Sequence, residues 1–134
     1  MTIDATTVAA GMAAIRGRIV AAGGDPDRVT VVAVTKGFGP EAPLAALEAG
    51  IVHLGENYAQ ELRDKASDAR LAGARFHAIG ALQTNKAKYV AAHAFAFHAL
   101  DREELARELS KRRAGKPPLQ CFLEVNIAGE ATKH

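Results

Sequence analysis

The chain of 134 residues has a single cysteine, Cys121, and this scarcity excludes several kinds of site. One thiol allows neither an internal disulfide nor a zinc site built on cysteines. Because Cys121 lies in the apolar run LQCFLEV, we expect it to be a small buried side chain. A chain without disulfides fits a reducing compartment, so we predict a cytoplasmic protein.

Long apolar runs and blocks of like charge are also missing. No stretch approaches the roughly 20 apolar residues that span a bilayer, and the N-terminal segment lacks the pattern of a signal peptide. The 17 Lys and Arg are interspersed with 15 Asp and Glu, giving a net charge of +2. We therefore predict neither a nucleic-acid nor a membrane partner. With 49% hydrophobic residues, the chain is expected to form one soluble domain over residues 1–134.

What the sequence does contain is an alternation of helix-like and strand-like segments. A leading helix carries Val8, Met12 and Ile15 at helical spacing and precedes Gly23-Gly24. The next segment, 29–35 (VTVVAVT), is apolar without polar alternation, which is typical of a parallel strand buried on both faces. Four further strands are predicted, each preceded by a helix, at residues 51–54, 76–79, 95–100 and 119–127.

This order predicts right-handed βαβ units in a parallel sheet. A doubly wound open sheet and a (β/α) barrel both satisfy it. The first strand-to-helix loop, KGFGPEAP, lacks the G-x-G-x-x-G of a nucleotide-binding unit, which favours a TIM-type barrel. Such a barrel closes with eight strands and at least about 200 residues. With about five strands present, we expect an α/β fold that is an incomplete barrel.

Two helix starts are predicted from capping patterns. Asn57 is followed at the third helical position by Gln60, and Asp101 is followed by Glu104 in a D-x-x-E capping box. Glu56 would then be a first-turn carboxylate that the helix dipole favours. A capping Asn57 could also line a pocket at the end of the second strand.

Lys36 is the leading candidate for chemistry because it directly follows the first buried strand. Lysine is disfavoured inside strands, and the C-terminal ends of barrel strands carry catalytic residues. A partly desolvated amine in that position reacts with carbonyl groups to form a Schiff base. From position alone, the alternative is a lysine that simply extends into solvent.

The histidines do not form a recognisable motif. His77 lies inside the third strand, where a hydrogen-bonded core histidine is the simpler interpretation than a ligand. The sequence has no H-x-H or H-E-x-x-H, so it supports no metal site.

The ordered segments VAVTK, HLGENYAQEL, FHAIGALQTNK, HALD and FLEVNIAGEATKH resemble the YggS/PROSC family of pyridoxal phosphate homeostasis proteins. That family is related to the N-terminal barrel of alanine racemase. The resemblance implies that Lys36 holds pyridoxal 5′-phosphate (PLP) as a Schiff base and that Asn57, His77 and Asn126 face or lie near the cofactor. It also implies a cytoplasmic barrel that buffers or delivers PLP without established catalytic turnover.

Family members continue through three more strands, which carry the segments that bind the phosphate. We therefore expect this chain to hold PLP loosely, and we expect the apolar edges 29–35 and 119–127 to favour self-association. Two alternatives stay open. Lys36 could serve an aldolase-like or racemase-like enzyme, although Tyr58 and Tyr89 fall in predicted helices and no second base for racemisation is evident. The chain could also be a barrel fragment that binds no ligand and needs a partner chain.

Overall fold

The computed structural model describes residues 3–131, which form five parallel strands and five α-helices. The strands are β1 (Ala33–Val34), β2 (His53–Glu56), β3 (Arg75–Ala78), β4 (Ala96–Leu100) and β5 (Gln120–Leu123). The helices are α1 (Ala5–Ala21), α2 (Glu41–Glu48), α3 (Ala59–Ala66), α4 (Ala87–His93) and α5 (Glu103–Arg112). Short 3₁₀ turns cover Pro26–Arg28, Ala69–Leu71 and Thr84–Lys86.

The strand order in the sheet is β1-β2-β3-β4-β5, so each strand pairs in parallel with its neighbour in sequence. A doubly wound sheet would reverse direction after its first strands and place β1 in the interior. Continuous winding in one direction is instead the arrangement of a TIM-type barrel. The predicted α/β class and the incomplete barrel of five strands are confirmed.

Local sequence explains the helices. The Asp4 side chain accepts a hydrogen bond of 2.8 Å from the Thr7 backbone N–H at the start of α1. The last helix, α5, has acidic residues in its first turn and basic residues in its last, which suits the helix dipole. Its Leu105 and Leu109 are buried at i and i+4. No helix within residues 3–131 has the length and apolar character that a membrane crossing requires.

The core lies between the sheet and the helices. Leu54, Phe76 and Phe97 point from the strands into this layer, where they meet helical side chains such as Leu62 and Leu105. Each such buried side chain contributes about 1.5–3 kcal/mol through removal of apolar surface from water. Alternate strand residues point to the other side of the sheet, away from the helices. We call the side of the sheet that packs against the helices the outer face, and the opposite side the inner face.

The first strand differs from its prediction. Only Ala33–Val34 form the ladder, and Val34 remains 48% exposed. The expectation of a strand buried on both faces over 29–35 is wrong for this structure, because β1 lies at the edge of the sheet and its inner face is open. The fifth strand lies at the other edge of the sheet, and the expectation of a buried Cys121 is wrong, because Cys121 is exposed there.

The second strand begins two residues later than predicted, so Glu56 belongs to β2 rather than to a helix. Neither capping pattern forms. Tyr58 precedes α3 and Arg102 precedes α5, in both cases without a capping hydrogen bond from the side chain. The Asp101 carboxylate instead pairs with the Arg102 guanidinium at 2.9 Å.

Candidate functional site

Lys36 lies immediately after β1, at the C-terminal end of the strand. The ladder pairs Val34 with Gly55, and the Thr35 N–H extends it with a bond of 2.9 Å to the Gly55 carbonyl. The chain then turns at Gly37, whose φ of +80° is a conformation that a residue with a side chain adopts only under strain. The Lys36 side chain is exposed and forms no hydrogen bond or ion pair with any residue in the range 3–131. Its amine is therefore accessible to solvent, whereas the sequence predicts a partly desolvated amine.

Thr35, one residue earlier, is held from the outer face. Its hydroxyl donates to the Glu56 carboxylate Oε2, and its backbone carbonyl accepts from Lys65 Nζ at 2.9 Å. Lys65 Nζ also donates to Glu56 Oε2 at 2.9 Å. Glu56 is fully buried and Lys65 is 7% exposed. We refer to these three residues as the Thr35 cluster.

Sequence reasoning missed this cluster, although a signal for it existed. On α3, Lys65 stands three residues after Leu62 and six after Ala59, so it occupies the buried stripe of the helix. A charged residue in an apolar stripe needs a buried partner. Glu56 shares the parity of Leu54 in β2, and that parity directs both side chains toward α3.

Asn57 lies close to the level of Lys36. Continuing the register from the Val34–Gly55 pair sets Asn57 beside Lys36 at the ends of neighbouring strands. Asn57 is half-buried against the loop that follows β3, where a Cβ added at Gly80 would overlap both its backbone oxygen and its Oδ1. The absence of a side chain at Gly80 is thus what permits Asn57 to sit there.

His77 belongs to a row of histidines that crosses the inner face, one from each of three strands. His53 Nδ1 and His77 Nε2 are 2.9 Å apart, and His77 Nδ1 and His98 Nε2 are 2.8 Å apart. Phe95 packs against the first two rings and Phe122 against His98. We call this the histidine row; it was not recognisable from sequence because its members are more than 20 residues apart.

The histidine row is uncharged near neutral pH. Burial, with smaller effects from His98 and His53, lowers the pKa of His77 to about 4. Burial also lowers the pKa of His53, with a contribution from the charge of Arg75, and lowers the pKa of His98. A neutral His77 donates through one ring nitrogen and accepts through the other, so the N–H bonds run in one direction along the row.

The row is not a metal site. His53 and His98 bind opposite ring nitrogens of His77, so the three side chains do not converge on one point. Within the described part of the chain, no group of three metal-ligating side chains is found.

The two remaining predicted site residues are set apart from Lys36. His77 pairs with Gly55, two residues before Asn57, which sets it about 6–7 Å below the level of Lys36. Asn126 follows β5 on the opposite edge of the sheet, where its side chain bonds to the backbone of Glu130. The structure therefore brings Lys36 and Asn57 to one level, His77 to the layer below, and Asn126 to the other edge.

Comparison with known proteins identifies relatives of the chain, although no protein-family model matches it. A pyridoxal phosphate homeostasis protein of Pseudomonas aeruginosa is 40% identical over 134 residues, which cover 99% of this chain and 58% of the relative. The protein of the same name from Escherichia coli K12 is 36% identical, with 94% of this chain and 57% of the relative covered. The chain belongs to the YggS/PROSC family of pyridoxal phosphate homeostasis proteins.

The chain spans somewhat less than 60% of the length of these two relatives. Solved structures of the family member PipY from Synechococcus elongatus agree with the fold. PipY without PLP superposes with a TM-score of 0.81 at 29% identity, covering 94% of this chain and 57% of PipY. PipY with PLP bound superposes with a TM-score of 0.69 at 31% identity, covering 78% and 47%.

Proposed function

We propose that this chain binds PLP and takes part in intracellular PLP homeostasis, with Lys36 as the residue that forms the Schiff base. The observation that carries the proposal is the accessible Lys36 amine at the end of a parallel strand, directly after the anchored Thr35. The names of the relatives and the PLP bound to PipY support it.

The residues around Lys36 fit such a cofactor. PLP supplies an aldehyde, with which a lysine amine condenses to a C=N bond with loss of one water. Lys36 has no ion pair with a described residue to break before it reacts. Lys36 and Gly37 are both exposed, so the amine lies in a part of the surface that a small molecule can reach. We assign Asn57 to the same level of the site.

His77 and Asn126 complete the proposed surroundings of the cofactor. We propose that His77 faces the cofactor from the inner face, below the level of Lys36, and that Asn126 faces it from the end of β5. We propose that His77→Gln and Asn126→Ala each weaken PLP binding less than loss of Lys36 does, because neither forms the covalent bond. Titration of PLP absorbance measures both.

We also propose that the chain does not catalyse turnover. Racemisation requires acid and base groups on both faces of a substrate. Tyr58 is exposed at the start of α3, and the Tyr89 ring on α4 lies 4.7 Å beneath the Arg63 guanidinium. Among the described residues, neither tyrosine forms a hydrogen bond or a cation–π contact with Lys36. Conversion of L-alanine to D-alanine that depends on Lys36 would favour the racemase-like alternative.

The decisive experiment is borohydride reduction in the presence of PLP, followed by peptide mass mapping. We expect one PLP adduct, on Lys36, and none in Lys36→Ala. Lys88→Ala is the matched control, because Lys88 is also exposed but lies on α4. An adduct that persists in Lys36→Ala would refute the assignment. Trapping of a keto substrate without PLP would instead indicate an aldolase-like enzyme, and no adduct at all would indicate a fragment that binds no ligand.

For the polypeptide of residues 1–134 we further propose a cytoplasmic location, loose retention of PLP and self-association. Parallel barrels hold phosphate groups in loops after strands seven and eight, beyond the five strands described. Both sheet edges expose apolar side chains, among them Val34 on β1 and Phe122 and Leu123 on β5. Such edges are templates for association.

A further inference from the structure

We propose that Thr35, Glu56 and Lys65 are positioning residues for Lys36: together they lock the register of β1 so that the Lys36 amine is presented on the inner face. This inference rests on the proposed role of Lys36 in binding PLP. Glu56 and Lys65 touch Thr35, and all three residues act on Lys36 only through the backbone.

The hydrophobic pattern of the first strand does not specify its register. In a strand, a slip of one residue moves every side chain to the opposite face. The segment 29–34 (VTVVAV) has apolar side chains of both parities, so either face could turn toward the helices. The ladder of β1 extends over only two residues, Ala33 and Val34, and adds little restraint.

Thr35 supplies the restraint that the apolar residues lack. Its N–H bonds to the Gly55 carbonyl, its carbonyl accepts from Lys65 Nζ, and its hydroxyl donates to Glu56. All three polar groups of this buried residue are therefore bonded. With Thr35 on the outer face, the alternation of the strand assigns Lys36 to the inner face.

Stability alone is a poor explanation for the cluster. Replacing a buried ion pair with apolar side chains is often neutral or stabilising, because the desolvation of both charges offsets their attraction. Glu56 also has a buried carboxylate oxygen, Oε1, without a hydrogen-bond partner among the described residues. An unsatisfied buried acceptor is unfavourable. Charged groups retained at such a cost are better explained by the specificity of strand register.

The test compares Thr35→Val, which removes only the hydroxyl in a side chain of similar shape, with Thr35→Ser, which keeps it. Lys65→Met removes the ammonium. Leu105→Ala, on α5 near the other edge of the sheet, serves as a control for general destabilisation. The first readout needs no cofactor: hydrogen exchange of the Thr35 and Lys36 amides. The second is the affinity for PLP.

We expect Thr35→Val and Lys65→Met to accelerate exchange at the Thr35 amide and to weaken PLP binding about 10- to 100-fold, as misplacement of a reacting group does. Thr35→Ser and Leu105→Ala should retain both properties under conditions where each remains folded. Equal behaviour of Thr35→Val and Thr35→Ser would overturn the register lock.

A double variant separates positioning from stability. Glu56→Leu combined with Lys65→Met replaces the ion pair with apolar groups and should recover much of the stability lost in Lys65→Met. We expect Thr35 exchange and PLP affinity to stay impaired. If both recover together with stability, the cluster is only structural and the proposal fails. If the unaltered chain gives no PLP adduct, the proposed function fails, while the exchange measurements still decide the register lock.

Discussion

Lys36 and Lys65 stand on opposite sides of Thr35, and their surroundings could hardly differ more. Lys65 reaches Thr35 from the helical layer, is 7% exposed and donates to both Thr35 and Glu56. Lys36 follows Thr35 in sequence, is exposed and bonds to no described residue. The same ammonium group is thus buried and bonded in one place and exposed without a described partner in the other. These different surroundings follow from the face of the sheet that each lysine occupies.

The two faces differ in the same way along the whole sheet. The outer face is packed by helices and holds fully buried side chains such as Leu54 and Leu62. The inner face carries the polar histidine row and leaves Val34 and Phe122 exposed. We therefore expect substitutions on the outer face to affect mainly stability, and substitutions on the inner face to affect mainly ligand binding.

The largest expected effect on stability comes from comparing two single variants, in each of which one of these lysines is replaced with methionine. Lys65→Met leaves Glu56 as an unpaired buried charge and should lower the free energy of unfolding by about 3–5 kcal/mol. Lys36→Met should change it by less than about 0.5 kcal/mol, as surface substitutions usually do. Urea denaturation followed by circular dichroism measures both. Similar losses for the two variants would show that the faces do not differ as described.

A second pair of variants sharpens the comparison with apolar residues. Leu62→Ala opens a cavity in the outer layer and should destabilise by about 2–5 kcal/mol. Val34→Ala, on the open inner face, should cost less than about 1 kcal/mol, because Val34 is already half exposed. The same denaturation experiment applies, and a larger loss for Val34→Ala than for Leu62→Ala would contradict the assignment of the core.

The histidine row predicts an acid-sensitive inner face. His77 has a pKa of about 4 in the folded chain and 6.5 as the ordinary value, so the unfolded chain binds more protons between these two pH values. Stability should fall as the pH drops through that window, by at most about 3 kcal/mol, and should not depend on His77 above pH 6.5. The pKa values of His53 and His98, which face His77, are also lowered, so these residues likewise make stability fall as the pH drops.

The variant His77→Gln tests this origin, since glutamine keeps a polar side chain but does not titrate. Its unfolding free energy, measured from pH 7 to pH 4, should decline less steeply than that of the unaltered chain. Parallel curves for the two proteins would assign the acid sensitivity to other groups.

The smallest expected effect concerns self-association through the inner face and its edges. Leu123 on β5 is 76% exposed, and Leu123→Lys should raise the monomer fraction in light scattering over a concentration series. Ser110→Lys adds the same charge on exposed α5 and should leave association unchanged. A monodisperse unaltered chain at all concentrations would remove the basis of this prediction.

Reasoning from sequence succeeded for the elements that have a local pattern. The alternation of helical and strand periodicity predicted five strands in the correct order, and the position of Lys36 at the end of the first was correct. It was wrong at the starts of α3 and α5, where the capping residues proposed were Asn57 and Asp101. Asn57 packs on Gly80 and Asp101 pairs with Arg102, so nonlocal packing and a competing ion pair took the place of the caps.

The sequence by itself determined the parallel α/β architecture and the location of Lys36, because periodicity and strand ends are properties of neighbouring residues. Only the tertiary structure decided the surroundings of that lysine. Thr35 meets Glu56 across 21 residues of sequence, and His53 meets His77 across 24. Strand register and side-chain alternation bring such residues together. Both arise only when the sheet assembles against its helices, and a linear pattern therefore does not contain the contacts that hold Lys36 in place.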